Sequence, residues 1–341
     1  MRKKKIDRDQ TWFDKVKRGV GDACYAVQVK LHQSTRKFRR EKEAKTTHRR
    51  MKEGIFVGLM LLFPILQFCV FYIGVNLNSI IMVFQDYDVN TQLYVFAGWK
   101  NFRLVGEFLN STLFAICLKN SLMSFLWVQL LSPVVLFFTF FIYKKFIGYR
   151  FFKIVLFLPT IISTLIMVTV YKFFCNTAIP AIWENIFGVK IGGLLSQPST
   201  NYAAVMFYYM WLSFGTLMLM YLGCMNGISE SIIESAKIEG ANSMQEFFYI
   251  VFPMIWPTFS TLFYTSIAGI FTNQINLFSI WGADAPTSLW TFGYYMYREV
   301  SVATYSDYPY LATMGLLMTI VVAPLTFFFK WGLNKIGPSA E

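Results

Sequence analysis

Six long apolar runs constrain this chain more than any other feature of its sequence. They cover approximately residues 54–74, 121–143, 154–174, 202–223, 258–281 and 309–330. A helix needs about 20 apolar residues to cross the hydrocarbon core of a bilayer. In lipid only helices or closed barrels satisfy every backbone amide and carbonyl, and these runs are too long and too uniformly apolar for barrel strands. The expected fold is an all-α integral membrane protein with six transmembrane helices.

Composition excludes the soluble alternative. A length of 341 residues would ordinarily suggest two soluble domains. Hydrophobic residues make up 55% of the chain and charged residues only 15%, and a soluble fold of this size cannot hide so much apolar surface. The charge is also confined: residues 1–53 hold 18 of the 31 Lys and Arg. That tail runs straight into the first apolar run, which makes it a membrane feature and excludes nucleic acid as a partner. Within it Trp12, Phe13, Val16, Val20, Cys24, Val27 and Leu31 recur at helical spacing among Lys15, Lys17, Arg18 and Lys30. Two readings stay open: an interfacial helix on an anionic leaflet, or a solvated basic tail that acts only as a topology signal. The first apolar run starts near Gly54 with no small-residue cleavage site after it, so no signal peptide is expected.

Orientation follows from Lys and Arg beside the runs. The tail is basic, the segment between runs two and three carries Lys144, Lys145, Arg150 and Lys153, and Lys330 and Lys335 follow run six. Both termini are therefore expected in the cytoplasm. The domain plan is a basic cytoplasmic extension over 1–53 and a permease domain over 54–335. One cytoplasmic loop departs from the charge trend: residues 227–252 hold Glu230, Glu234, Glu239 and Glu246 against a single base, Lys237.

The loop has its own grammar. Ser231 with Glu234, and Ser243 with Glu246, have capping-box spacing, each predicting a helix start. Gly240 suits a helix stop, because glycine tolerates the left-handed conformation common there. The expectation is a short helix over 232–239, a turn at 240–242 and a second helix toward Pro253, with Pro253 and Pro257 kinking or restarting the chain. An ordinary connector needs only a handful of residues, so a capped helix-turn-helix here is shaped to dock on another protein.

The same stretch resembles the EAA loop of ABC importer permeases, with Glu234, Ala236, Gly240, Ala241, Ile250, Pro253 and Pro257 at matching positions. Ser235 replaces the usual middle Ala and Glu239 the usual Asp. Further segments resemble the maltose-permease-like carbohydrate branch: Phe96–Phe102, Asn120–Leu122, Tyr149–Pro159 and Trp211–Gly215. The sequence at Gly282–Pro286 departs from that family's pattern. The resemblance implies a type I ABC importer permease in a prokaryotic plasma membrane. Its implied partners are a second permease, two cytoplasmic ATPase subunits and an extracellular solute-binding protein. It also implies that the chain binds no cofactor, ATP being held by the partner ATPase, and does no chemistry itself. In agreement, the chain has no Walker-type phosphate loop, no metal-ligand spacing among its five cysteines, and its only histidines, His32 and His48, lie in the tail.

No run has Asp, Glu or His in its interior, and Lys119 and Lys172 fall near ends, which argues against an ion-coupled transporter. Uncharged polar residues are the remaining handle for a hydroxyl-rich solute. Asn273 and Asn276 are three apart in run five, on one face if that run is a helix. They would either face a cavity or pair with neighbouring helices. The resemblance places substrate contacts at or beside Met210, Trp211, Ser213 and Thr216 in run four, and near Asn273 and Asn276. An aromatic belt is the competing reading for Tyr208, Tyr209 and Trp211. The function expected is import of a sugar or oligosaccharide. The alternatives are an ABC importer permease for another small solute and an ATPase-independent secondary transporter or channel, the last of which would bring charged or broken helices at mid-membrane. Tags on either terminus should be reachable only from the cytoplasmic side; accessibility mapping that finds one outside overturns the topology.

Overall fold

The computed structural model describes residues 51–338. Residues 1–50, with the expected interfacial helix and Cys24, lie outside them, while the last three residues of the expected tail, 51–53, begin the first helix. Six helices in the described chain are long and apolar enough to cross a membrane. In chain order the elements are α1 (Met51–Met82), β1 (Gln85–Asp88), β2 (Leu93–Phe96), α2 (Lys100–Leu109) and α3 (Thr112–Tyr143). Then follow α4 (Tyr149–Ile161), α5 (Thr164–Phe187), α6 (Asn201–Asn226) and α7 (Glu230–Ile238). The last four are α8 (Ser243–Ala268), α9 (Leu277–Trp281), α10 (Phe292–Val302) and α11 (Tyr308–Ile336).

The chain divides after Leu77 into two compact units. In the first, residues 51–77 are exposed all round. That arrangement would fail in water and costs nothing in lipid, whose tails are as apolar as leucine. The second unit, from residue 78 on, has two buried clusters. One, at the hairpin end, gathers Val105, Cys117, Tyr171, Tyr208, Leu277 and Phe292. The other, at the α7 end, gathers Val135, Phe140, Tyr221, Met225, Ile233, Phe247 and Val251.

The all-α membrane fold is as expected, with one short addition: Gln85 to Phe96 form an antiparallel hairpin, Gln85 opposite Phe96 and Asp88 opposite Leu93. Two expectations need correction. The third apolar run is two helices rather than one, because Ile162 and Ser163 are extended (ψ 144° and 134°). The fifth run ends its helix at Ala268 and resumes only at Leu277. Apolar counts cannot see such breaks, since a change of backbone angles leaves hydropathy unchanged. Two prolines, Pro180 and Pro253, act by widening the helix rather than by ending it, and Pro257 lies inside the α-helix without ending it. Pro180 and Pro253 each follow a π turn, Phe174–Ala178 and Phe247–Val251. Each turn holds the carbonyl four residues back that a proline ring would otherwise strike.

Several segments that carried the family resemblance turn out to be joints. Buried Asn101 donates to the carbonyls of Val83 (2.9 Å) and Gln85 (2.7 Å), fastening α2 to the hairpin base. Buried Asn120 on α3 donates to the carbonyls of Ser288 (2.8 Å) and Trp290 (3.0 Å). Its neighbour Ser121 accepts from the Phe292 amide at 2.9 Å. A Cβ on Gly215 would stand 2.5 Å from the Leu156 carbonyl oxygen, so only glycine lets α6 and α4 approach this closely. Asn120→Leu should destabilise the protein by about 1–3 kcal/mol for each buried carbonyl left without a donor. A thermal melt in detergent should show that loss. The exposed Asn110, bonded only within its own turn, should tolerate the same change.

Candidate functional site

The acidic loop folds as a helix-turn-helix, with different caps from those expected. Helix α7 starts at Glu230 after Ser229, which makes no side-chain cap bond, so Ser231 and Glu234 form no capping box. The second box belongs to Asn242 and Gln245, not Ser243 and Glu246: each side chain bonds the other's backbone amide at 2.9 Å. Asparagine caps as well as serine, so the spacing rule was satisfied one residue earlier. The stop at Gly240 is as expected, with φ +83°. The Gly240 amide donates to the Lys237 carbonyl (3.1 Å) and the Ala241 amide to the Ala236 carbonyl (2.9 Å), the two bonds of a Schellman motif.

Burial divides the loop's residues into two sets. Ile233 and Ala236 are buried and Ile250 packs beside them, joining α7 to the α7-end core. Glu234 and Gly240 are exposed, as are Ile238 and Glu239 beyond them, while Pro253 is half-buried at the start of the apolar part of α8. The loop thus has a seated face and an open, acidic one. Glu246, one of its four acids, does not belong to the open face. It is 2% exposed and ion-paired with Lys144 at 2.7 Å. Sequence reasoning counted Glu246 among the loop's surface charges; Lys144, 102 positions away, gave no local signal.

A second region surrounds the break after α8. Ile275 and Asn276 both have positive φ (45° and 60°). For a β-branched residue this is an outlier, held only where neighbours over-determine it. The clamps are visible. Asn273 Oδ1 accepts from the Ile275 amide (2.8 Å), Asn273 Nδ2 donates to the Tyr209 hydroxyl, and the Asn273 carbonyl accepts from Thr291 Oγ1 (2.8 Å). Gly293 lies so close that a Cβ would stand 2.5–2.6 Å from the backbone of Thr272 and Asn273. Asn273 and Asn276 therefore do not share a helix face. Asn273 stitches the break, and Asn276 is the left-handed residue preceding α9.

The break lies between two cavities that share Thr272. The smaller, about 300 Å³, is lined by Ser124, Tyr209, Ser266, Thr272, Asn273 and apolar neighbours. The larger, about 720 Å³, is lined by Phe271, Gln274, Tyr297, Thr319 and Thr326 among apolar residues. No ionisable group other than a tyrosine lines either. Of the expected substrate positions only Asn273 lines a cavity. Met210, Trp211 and Ser213 are half-buried on α6 and Thr216 is exposed. At 100° per residue Trp211 lies on nearly the opposite side of α6 from Tyr209, and its ring neighbours Phe207. Tyr208 is fully buried against Tyr171, which removes it from any aromatic belt. The residues missed by sequence reasoning are Tyr209, Ser124 and Ser266. Their signal was a hydroxyl inside an apolar run, with nothing local to tell it from its neighbours Tyr208 and Thr265.

The comparisons with known proteins agree with this architecture. No protein-family model matches the chain. It is 27% identical over 333 residues to an arabinooligosaccharides transport system permease protein, AraP, of Halalkalibacterium halodurans, covering 94% of this chain and 99% of that one. It is also 27% identical over 223 residues to a probable starch degradation products transport system permease protein, AmyD, of Thermoanaerobacterium thermosulfurigenes (64% and 74% covered). The fold is similar to that of a chain from a bacterial ABC transporter involved in the import of the acidic polysaccharide alginate. There the TM-score is 0.68 at 18% identity, covering 84% of this chain and 98% of that one. In fold the chain is similar to an ABC importer chain, and its sequence relatives are sugar-transport permeases. The chain is a non-catalytic, multi-pass membrane subunit.

Asn273→Leu removes the bonds that hold the left-handed segment, and should lower stability by about 1–3 kcal/mol, read as a lower detergent melting temperature. Thr216→Val, at an exposed position, should leave that temperature unchanged.

Proposed function

We propose that the chain is one of two permease subunits of an importer for a neutral sugar or oligosaccharide in a prokaryotic plasma membrane. Two cytoplasmic ATPase subunits and an extracellular solute-binding protein complete the assembly, and both termini are cytoplasmic. The observation that carries the reading is the helix-turn-helix with a seated apolar face and an open acidic one. It coincides with the EAA-like residues Glu234, Ala236, Gly240, Ala241, Ile250 and Pro253. Among the relatives, MsmF of Streptococcus mutans is a multiple sugar-binding transport system permease protein, 22% identical over 267 residues, with 77% of this chain and 89% of that one covered. Another, AraP of Bacillus subtilis, is an arabinooligosaccharides permease, 25% identical over 265 residues.

In this reading α7 inserts into a cleft of an ATPase subunit. Closure of the ATPase dimer on ATP draws the two permeases' coupling helices together, and the cavity between the permeases changes the side it opens to. ATP binds to the partner and the chain itself holds no cofactor. The cargo path runs past the face of α6 that carries Tyr209, Ser213 and Thr216, with Met210 at its edge, and past the break at Asn273 and Asn276. Trp211, on nearly the opposite side of α6, does not share that face. Hydroxyls and amides suit a sugar's hydroxyl groups, and aromatic rings suit its apolar face. The uncharged cavity linings favour a neutral cargo over an anionic or ion-coupled one. An importer for another uncharged small solute is the second reading, and the ligand range of the cognate binding protein separates the two.

Gly240→Val places a β-branched residue at positive φ, at a cost of about 1–3 kcal/mol to the turn. Glu234→Ala changes an exposed residue that makes no cap bond, and should be the milder change within the protein. The expected result is loss of ATPase co-purification and of cargo-stimulated ATP hydrolysis with Gly240→Val, and partial loss with Glu234→Ala. Full binding and stimulation with Gly240→Val would end the coupling-helix assignment.

A further inference from the structure

The pair Lys144–Glu246 lies where the docking loop meets the membrane helices. Glu246 follows the Asn242 cap by four residues, and its amide donates to the Asn242 carbonyl (2.9 Å), so its backbone is rigidly continuous with the turn after α7. Lys144 is the residue that ends α3, where a cation also meets the negative end of the helix dipole. The two charges are 2.7 Å apart, with side chains 2% and 16% exposed. Rings of Phe140 and Phe247 pack beside them, 5.0 Å apart. Among the described residues Glu246 Oε1 has no hydrogen-bond partner. A buried carboxylate with one oxygen unmet depends heavily on its single cation, so the contact resists separation more than the surrounding apolar packing resists sliding.

The other end of α3 reaches the break. From Lys144 back to Asn120 the helix runs 24 residues, about 36 Å at 1.5 Å each. There Asn120 holds the carbonyls of Ser288 and Trp290, and Ser121 holds the Phe292 amide. Thr291, between them, bonds the Asn273 carbonyl at 2.8 Å, and Asn273 bonds Tyr209 at the smaller cavity. The path is therefore a row of directional bonds joined by one long helix: loop, Glu246, Lys144, α3, Asn120 and Ser121, Thr291, Asn273.

We propose that Lys144 and Glu246 are positioning residues that transmit movement of α7 through α3 to the broken segment 269–276, so that the ATPase-docking loop and the lining of the polar cavity change state together. The proposal rests on α7 being the ATPase-docking helix. A pull on α7 reaches α8 through the chain itself; the ion pair makes α3 follow.

The test uses the full complex with its ATPase and needs no knowledge of the cargo. Thr272→Cys puts a thiol at an exposed position of the break, and its alkylation rate is followed by peptide mass spectrometry with and without ATP and orthovanadate. In the otherwise unaltered chain, trapping should change that rate by at least about fivefold. Lys144→Met or Glu246→Gln should abolish the change while the ATPase still co-purifies, and the exchanged pair Lys144→Glu with Glu246→Lys should restore most of it. If Glu246→Gln fails to assemble, Glu246→Asp decides: a weakened response supports the proposal and a full one overturns it. An unchanged response in the single variants, an exchanged pair no better than they are, or no response in the unaltered chain each overturn it. If Gly240→Val abolishes the response and Lys144→Met does not, the docking assignment stands and only this inference fails. If Gly240→Val leaves ATPase binding intact, the docking assignment itself has failed.

Discussion

Every backbone amide and carbonyl within a bilayer must find its partner inside the protein, and the architecture follows from where this chain leaves helical geometry and what then takes over the bonding. The segment 269–276 is the clearest case. Its helix ends at Ala268 and two residues turn left-handed, yet Asn273, Thr291 and the close approach of Gly293 hold the exposed backbone in place. Irregular backbone at membrane depth is tolerated where it is buried or lines a cavity; this segment lines two cavities, with Ile270 and Ile275 buried and Thr272 exposed. Asn120 and Ser121 on α3 are clamps of this kind, whereas many hydroxyls of the apolar helices, Thr139 and Thr313 among them, bond a carbonyl one turn back in their own helix.

The loop between α6 and α8 meets the same requirement with different means. The Schellman bonds at Gly240 and the Asn242–Gln245 box satisfy the helix ends locally, so the turn needs nothing from the membrane helices to keep its form. Its seat is apolar, through Ile233 and Ala236, while its one buried charge is matched by Lys144. A self-supporting loop fixed at one ion pair can be moved as a unit. That is the mechanical property an ATPase-driven permease requires.

The family resemblance and the structure speak about different things. Asn120, Gly215 and Gly240 marked the class in the sequence, and each proves to be a geometric necessity: a clamp, a close helix contact and a left-handed turn. None touches a cavity. The cavity residue Tyr209 was set down among the aromatics of a possible interfacial belt. Position along a helix says little about which way a side chain points until the neighbours are known. Trp211 and Tyr209 are two residues apart and lie on nearly opposite sides of α6.

The amino-acid sequence by itself determined the membrane class, the number of crossings, the importer-permease kinship and the position of the helix stop at Gly240. Those properties reside in local composition, in residue spacing and in the conformational tolerance of single residues. Only the tertiary structure decided that the third and fifth apolar runs are broken, that residues 85–96 form a hairpin, that Asn273 is a clamp, and that Glu246 is buried against Lys144. The Asn273 clamp and the ion pair depend on partners far away in the chain, Tyr209 at 64 positions and Lys144 at 102. The hairpin and the break at residues 162–163 lie in backbone angles that hydropathy does not record. No periodicity or hydropathy encodes which distant groups will meet, because that is settled by packing.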